Sequence, residues 1–180
     1  MPNLDRPLRD LRDIVEFEKT PEAVWLEPKT IYKAFQNTVE KYATKDALIV
    51  QPVGDPLGEG QHITYGELLQ KANQCANMFL QAGLRPTETV THLLPPSAEG
   101  FYTLIGAEAV AIVNAVNPLL EPEHILGIMK AANTQILVTP GPDVNAEIWQ
   151  KVEWLMDHLP NLKAVFVVGD GSGVDGSKIH

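Results

Sequence analysis

The side chains able to do chemistry are few and scattered in this 180-residue chain. Its single cysteine, Cys75, rules out an internal disulfide framework. It falls in a helical pattern beside Ala72, Ala76 and Phe79, so a small buried thiol is the expected reading. A nucleophilic thiolate needs an adjacent base or a helix N-terminus, and the sequence offers neither. The five histidines, His62, His92, His124, His158 and His180, share no H-x-x-x-H spacing, which removes the usual zinc patterns. His92 lies in an apolar run and reads as a satisfied core histidine. His124 follows Glu123 in a first helical turn and reads as solvated. Neither G-x-S-x-G nor G-x-x-x-x-G-K-[ST] occurs, so neither an esterase elbow nor a P-loop is encoded.

One formal motif remains. Gly171-Ser-Gly173-Val-Asp-Gly176 matches G-x-G-x-x-G after an apolar strand. A dinucleotide site requires a helix to open at that loop, so that its N-terminus meets the pyrophosphate. Only four residues follow, and Asp170 and Asp175 would repel phosphate. A surface loop is the simpler reading. Those two carboxylates also fall short of a calcium loop. The sequence therefore predicts no catalytic, cofactor-binding or metal-binding residue within this chain.

The surroundings explain what such a chain is for. A formal charge of −9 and only six cations after residue 60 argue against nucleic acid and anionic membrane as partners. No apolar run reaches the ~20 residues of a membrane helix, and the charged start MPNLDRPLRDLRD is not a signal peptide. A cytoplasmic setting is expected.

Residues 1–60 are expected to form an N-terminal arm, with a helix near Thr30–Tyr42 and a strand at Ala47–Val50. Across a Pro- and Gly-rich loop, His62-Ile63-Thr64 is placed to pair back as a hairpin. The apolar face of this arm is expected to lack a partner.

From residue 61 to 168 the pattern is α/β. Thr64-Tyr-Gly-Glu67 is a capping box opening a helix with Leu68, Ala72, Cys75 and Phe79 on one face; Gly83 and Pro86 end it. Strands are predicted at Thr89–Leu94, Ala111–Val116, Gln135–Thr139 and Ala164–Val168. Between them lie helices capped by Ser97, opened by Pro122, and capped by Asp143. Gly100, Gly106, Ala107, Ala109 and Ala111 make a small-residue stripe suited to close helix–sheet packing. Such alternation implies a largely parallel sheet flanked by helices. The α/β pattern breaks off after the strand at 164–168, and residues 169–180 read as a flexible tail or truncated connection.

Four motifs in this order resemble a known family. Ile63-Thr-Tyr-Gly-Glu-Leu68 is similar to L-T-Y-x-E-L, and Leu93-Leu-Pro95 with Ser97 to L-L-P-N-S. Gly106–Pro118 resembles an alanine- and glycine-rich element ending in N-P, and Ile136-Leu-Val-Thr139 matches I-L-V-T. Together they resemble the N-terminal portion of the AMP-forming acyl-CoA synthetases, within the adenylate-forming (AMP-binding) superfamily. Pro96 departs from the family's Asn, and Ala111 and Ala115 stand where Gly and Pro are common.

The resemblance implies the first subdomain of an adenylate-forming N-terminal domain. The parent enzyme would be a ligase that activates a fatty or other carboxylic acid with ATP and Mg2+ as acyl-adenylate and transfers it to CoA. It also implies partners in the rest of the N-terminal domain and in a C-terminal domain. The family's phosphate loop, magnesium-binding Glu and catalytic Lys have no counterpart here, so no bound cofactor and no activity are expected of this segment alone. Two alternatives follow from the pattern alone: a dinucleotide-binding oxidoreductase domain using the Gly171 loop, and a non-enzymatic flavodoxin-like binding module.

Overall fold

The computed structural model describes residues 7–19, 28–51, 55, 57–171 and 174. Helix α1 (Leu11–Glu18) and helix α2 (Ile31–Tyr42) precede a hairpin of β1 (Asp46–Val50) and β2 (Gln61–Thr64), paired antiparallel with Ile49 opposite His62. The strand β2 runs straight into helix α3 (Tyr65–Gln81), and the predicted capping box forms there. Thr64 Oγ1 accepts the Glu67 N–H at 3.2 Å while Glu67 Oε2 accepts the Thr64 N–H at 2.8 Å. Gly83 ends the helix in the left-handed region, at φ +79°, where a side chain would be strained.

Strand β3 (Thr89–His92), helix α4 (Ala98–Val110), strand β4 (Ile112–Ala115), helix α5 (Pro122–Ala131), strand β5 (Thr134–Pro140), helix α6 (Ala146–His158) and strand β6 (Ala164–Val168) follow. The four strands form a wholly parallel sheet in the order β4-β3-β5-β6, as the alternating pattern predicts.

Strand alternation sorts the core into two layers. Leu93, Leu137 and Val165 face Ile125 and Met129 of α5 and Trp149, Val152 and Leu155 of α6. Val90, Ile136, Val138 and Phe166 face Phe79 of α3 and Ala107 of α4. A third, smaller cluster of Ile63, Leu68 and Ala98 sits beneath the hairpin, flanked by Phe35 and Leu48. A parallel sheet needs cover on both faces, and these layers supply it.

The arm is half-partnered, where the sequence predicts an open face. Phe35 meets the Tyr65 ring at 6.2 Å between centroids, and Val39 is buried. Tyr32 also donates to Asn73 Oδ1 of α3. Ile31, Tyr42 and Ile49 remain exposed.

Two local expectations change. Asp143 does not cap α6; Asn145 does, its Oδ1 accepting the Ile148 N–H at 3.0 Å. The small-residue stripe serves helix-on-helix packing more than helix-on-sheet. A Cβ on Gly106 would stand 2.6 Å from Ala72 O and 2.8 Å from Cys75 Cβ, both on α3. At Ala111 the backbone is extended, φ −158°, so alanine needs no glycine freedom there.

Candidate functional site at the carboxyl ends of the parallel strands

The chain runs outward from β3 to β4, then returns past β3 to β5 and on to β6. The order therefore reverses between β3 and β5, and the carboxyl ends of these strands are where such sheets hold ligands. Two groups of residues gather at this end.

The first lies at β3 and β4. A cavity of about 320 Å³ is walled by Pro95, Phe101, Leu104 and Ala115, with His92 and Ser97 also in its lining. Ser97 is already committed, its Oγ accepting the Gly100 N–H at 3.2 Å as the cap of α4. His92 shares a strand face with Val90, directed toward α4. Burial holds its imidazole below the ordinary histidine value, and hence neutral at pH 7. Contrary to the expectation of a satisfied core histidine, neither ring nitrogen has a hydrogen-bond partner among the described residues.

Its neighbour behaves differently. Thr91 accepts from Asn114 Nδ2 at 3.0 Å and lies 2.7 Å from the Thr134 hydroxyl, which donates to Met129 O. Because Thr134 gives its proton to the carbonyl, Thr91 donates to Thr134, and that buried chain is complete.

The second group lies at β5 and β6. Gly141 N–H donates to Val168 O at 2.8 Å, and Asp143 Oδ2 accepts the Asp170 N–H at 3.1 Å. Gly169, at φ +131°, has no room for a Cβ, which would fall 2.5 Å from Asp143 Oδ2. Asp143 thus ties down the exit from β6. The G-x-G-x-x-G run begins here with Gly171, at φ +71°; Gly173, Asp175 and Gly176 lie outside the described residues. The carboxylate of Asp143 beside this exit opposes a pyrophosphate, which weakens the dinucleotide reading.

The other candidates stay apart. His62 pairs with Asp46 at 2.6 Å on the hairpin. His158 stacks on Trp154 at 4.1 Å, with its Nδ1 2.8 Å from Trp154 O, and His124 is exposed as expected. His180 lies outside the described residues. Cys75 is half-buried against α4, and burial pushes its thiol up, away from thiolate chemistry. Among the described residues no group of three His, Cys, Asp or Glu could hold a metal ion.

Two lysines work as internal fasteners. Lys151 Nζ donates to Pro118 O and Leu120 O. Lys163 Nζ donates to Gly83 O and to the buried Glu88, which also binds Arg85. Sequence reasoning missed Glu88, although an acid just ahead of a buried strand with Arg three residues earlier is a readable signal. It also missed Asn145; an Asn three residues before Ile148 could have competed with Asp143 as cap.

Comparison with known proteins agrees with this framework. Residues 35–177 match the model of the AMP-binding enzyme family. The chain is 34% identical over 162 residues to marinolic acid–CoA ligase of Pseudoalteromonas sp., covering 90% of this chain and 25% of that protein. It is 28% identical over 139 residues to the long-chain-fatty-acid–CoA ligase heimdall of Drosophila melanogaster, covering 77% of this chain and 20% of that one. Among solved structures, acetoacetyl-CoA synthetase from Streptomyces lividans superposes with a TM-score of 0.72 at 17% identity, over 83% of this chain and 24% of that chain. An anthranilate CoA ligase bound to anthranoyl-AMP superposes with a TM-score of 0.67 at 24% identity, over 78% of this chain and 25% of that one; these two likenesses speak to the fold. The chain spans a fifth to a quarter of the length of these two curated relatives. With the family model matched across most of its length, this chain belongs to the AMP-binding enzyme family.

Proposed function

We propose that this chain is the N-terminal scaffold of an AMP-forming acyl-CoA ligase. The parent enzyme would activate a fatty or other carboxylic acid with ATP and pass the acyl group to CoA. The observation that carries the reading is the 34% identity to a CoA ligase over 90% of the chain, within a family match spanning residues 35–177. In such a reaction a carboxylate oxygen attacks the α-phosphorus of ATP and pyrophosphate leaves. The CoA thiol then attacks the acyl carbon, and AMP leaves. Positioning and charge neutralisation around the phosphates do most of the catalytic work.

The described residues fit a supporting part in this. The cavity at β3 and β4 is mainly apolar, and the Asp143 carboxylate at β5 is engaged by the Asp170 backbone. Neither place suits Mg2+ or a triphosphate, so no residue of this segment is assigned a catalytic or cofactor-binding part. The remainder of the N-terminal domain and a C-terminal domain are the partners this reading requires. A cytoplasmic setting accompanies it, and no described helix is long and apolar enough to cross a membrane.

The test is ATP–pyrophosphate exchange against a panel of carboxylic acids. The 180-residue chain should give none, and the longer gene product that carries it should exchange in an acid-dependent way. Exchange by the short chain would overturn its role as scaffold. A longer product inert toward every acid overturns the ligase reading.

A further inference from the structure

The turn that leaves the carboxyl end of β4 has few bonds of its own. Val116 N–H donates to His92 O at 3.1 Å, and there the chain parts from β3. Asn117 Oδ1 accepts the Leu119 N–H at 3.0 Å, and Asn117 O accepts the Leu120 N–H at a long 3.3 Å. Pro118 has no N–H to give. The place of the turn is set from α6 instead, 33 and 31 residues away in sequence, where Lys151 Nζ donates to Pro118 O at 3.0 Å and to Leu120 O at 3.1 Å. Hydrogen bonds from an ammonium are the stronger kind, and these are partly buried. A lysine serving only the surface charge of α6 has Glu147 one helical turn back for a partner. Glu147 and Glu123 do line the same notch, yet the ammonium is spent on the two carbonyls.

The clamped turn sits where sheets of this kind hold ligands, at the carboxyl ends of the strands. It crosses from the α4 side, where Ala115 lines the apolar hollow, to the α5–α6 side, where Leu120 packs against the core. Between the two anchored carbonyls Leu119 is lifted outward, 78% exposed. The Leu119 and Leu120 N–H groups are taken within the turn and the ammonium by its carbonyls, so the turn keeps neither a backbone donor nor a cation for a phosphate. What it presents is apolar. Of the substrates that the ligase reading requires, the carboxylic acid is the one for which an apolar wall is suited.

We propose that Lys151 is a positioning residue for the ligase reaction: from α6 it fixes the Asn117–Leu120 turn so that Leu119 forms part of the wall against which the apolar portion of the acid lies. This assignment rests on the ligase reading, which supplies the reaction.

The experiment uses two variants in the longer gene product. Lys151→Met keeps the stem and removes the donors; it should raise KM for the acid about five- to ten-fold with kcat little changed, the mark of binding lost equally before and in the transition state. KM for ATP and for CoA should stay put, and Lys151→Arg should restore most of the loss. Leu119→Ser, at an exposed position that folding does not need, should raise KM for the acid in the same way without lowering Tm. Adding it to Lys151→Met should cost little more, because the two act as one unit. In the 180-residue chain, Lys151→Met should speed amide exchange at Leu119 and Leu120 several-fold and leave the middle of α6 protected. Unchanged exchange in the turn overturns the clamp. A lowered Tm with every kinetic constant intact makes Lys151 a fastener only and overturns the assignment, as does a rise confined to KM for ATP or CoA. Should Lys151→Met fail to fold, Leu119→Ser still decides: an unchanged KM for the acid sinks the wall. A wild-type longer product that exchanges pyrophosphate while both variants match it defeats this assignment alone; one inert toward every acid defeats the ligase reading, and the assignment with it.

Discussion

Gly106 shows how much one missing methyl group can govern. The atoms a Cβ would strike, Ala72 O at 2.6 Å and Ala76 N at 3.2 Å, are backbone of α3 and cannot swing aside. Gly106→Ala gains at most about 1 kcal/mol of helix propensity, against an overpacking cost of about 1–3 kcal/mol. A net loss, read as a lower urea midpoint, is therefore expected; an unchanged or higher midpoint would show that the helices separate easily. Glu88 governs by charge instead. The Lys163 ammonium beside it, with help from Arg85, holds its carboxyl down at about 2, against an ordinary 4.5. A carboxyl depressed on folding stabilises at pH values above its unfolded pKa, and that contribution drains away as pH falls from about 4.5 through about 2. Glu88→Gln should therefore lower the unfolding midpoint at pH 7 and leave it nearly unchanged near pH 2. Equal losses at both pH values would mean that the packing of Glu88, not its charge, matters. The glycine stripe was readable from spacing, but its target was not. Whether small residues meet a sheet or a helix depends on where α3 lies, and that is a tertiary fact. Glu88 and Lys163 stand 75 positions apart, beyond the reach of any local pattern.

At the scale of elements, local chemistry that is complete within four residues was legible. Thr64 with Glu67, Ser97 ahead of Gly100, and Pro122 in a first helical turn all stand where the sequence places them. The start of α6 failed because two rival caps lie two residues apart and local spacing does not choose between them. Backbone closure chooses: Gly141 O accepts the N–H groups of Val144 and Asn145, which delays the helix and leaves Asp143 free to turn toward Gly169. The two residues should then separate cleanly on substitution. Asn145→Ala should cost about 1 kcal/mol, the usual value of a lost N-cap, with faster amide exchange confined to the first turn of α6. Asp143→Ala should leave that turn intact and speed exchange of the Asp170 amide. The reverse pattern would return the capping role to Asp143. The candidate site divides in the same way. Strand ends follow from alternation, whereas the apolar hollow and the isolation of His92 depend on how α4 lies against the sheet, information absent from their own neighbourhood.

For the molecule as a whole, the order of motifs was enough to place the chain in its family, because each motif marks an element boundary and the elements recur in one sequence. The division at residues 60 and 61 is a separate matter, since the β1–β2 hairpin pairs directly across it. Both layers around the parallel sheet draw on described residues from Cys75 to Val174. The cluster beneath the hairpin, by contrast, takes Phe35 and Leu48 from the arm to cover Ile63 and Leu68, each only 3% exposed. A chain beginning at Gln61 should therefore keep its parallel sheet while losing that cover. Uncovering two aliphatic side chains in part should cost about 2–4 kcal/mol, taking 1.5–3 kcal/mol for each full burial. Hydrogen exchange distinguishes the possibilities. Amides of β3 and β5 should stay protected, while those of β2 and the first turns of α3 exchange faster. If protection collapses across β3 and β5 as well, the arm is part of one cooperative unit with the sheet, and residues 61–168 are not a subdomain that folds by itself.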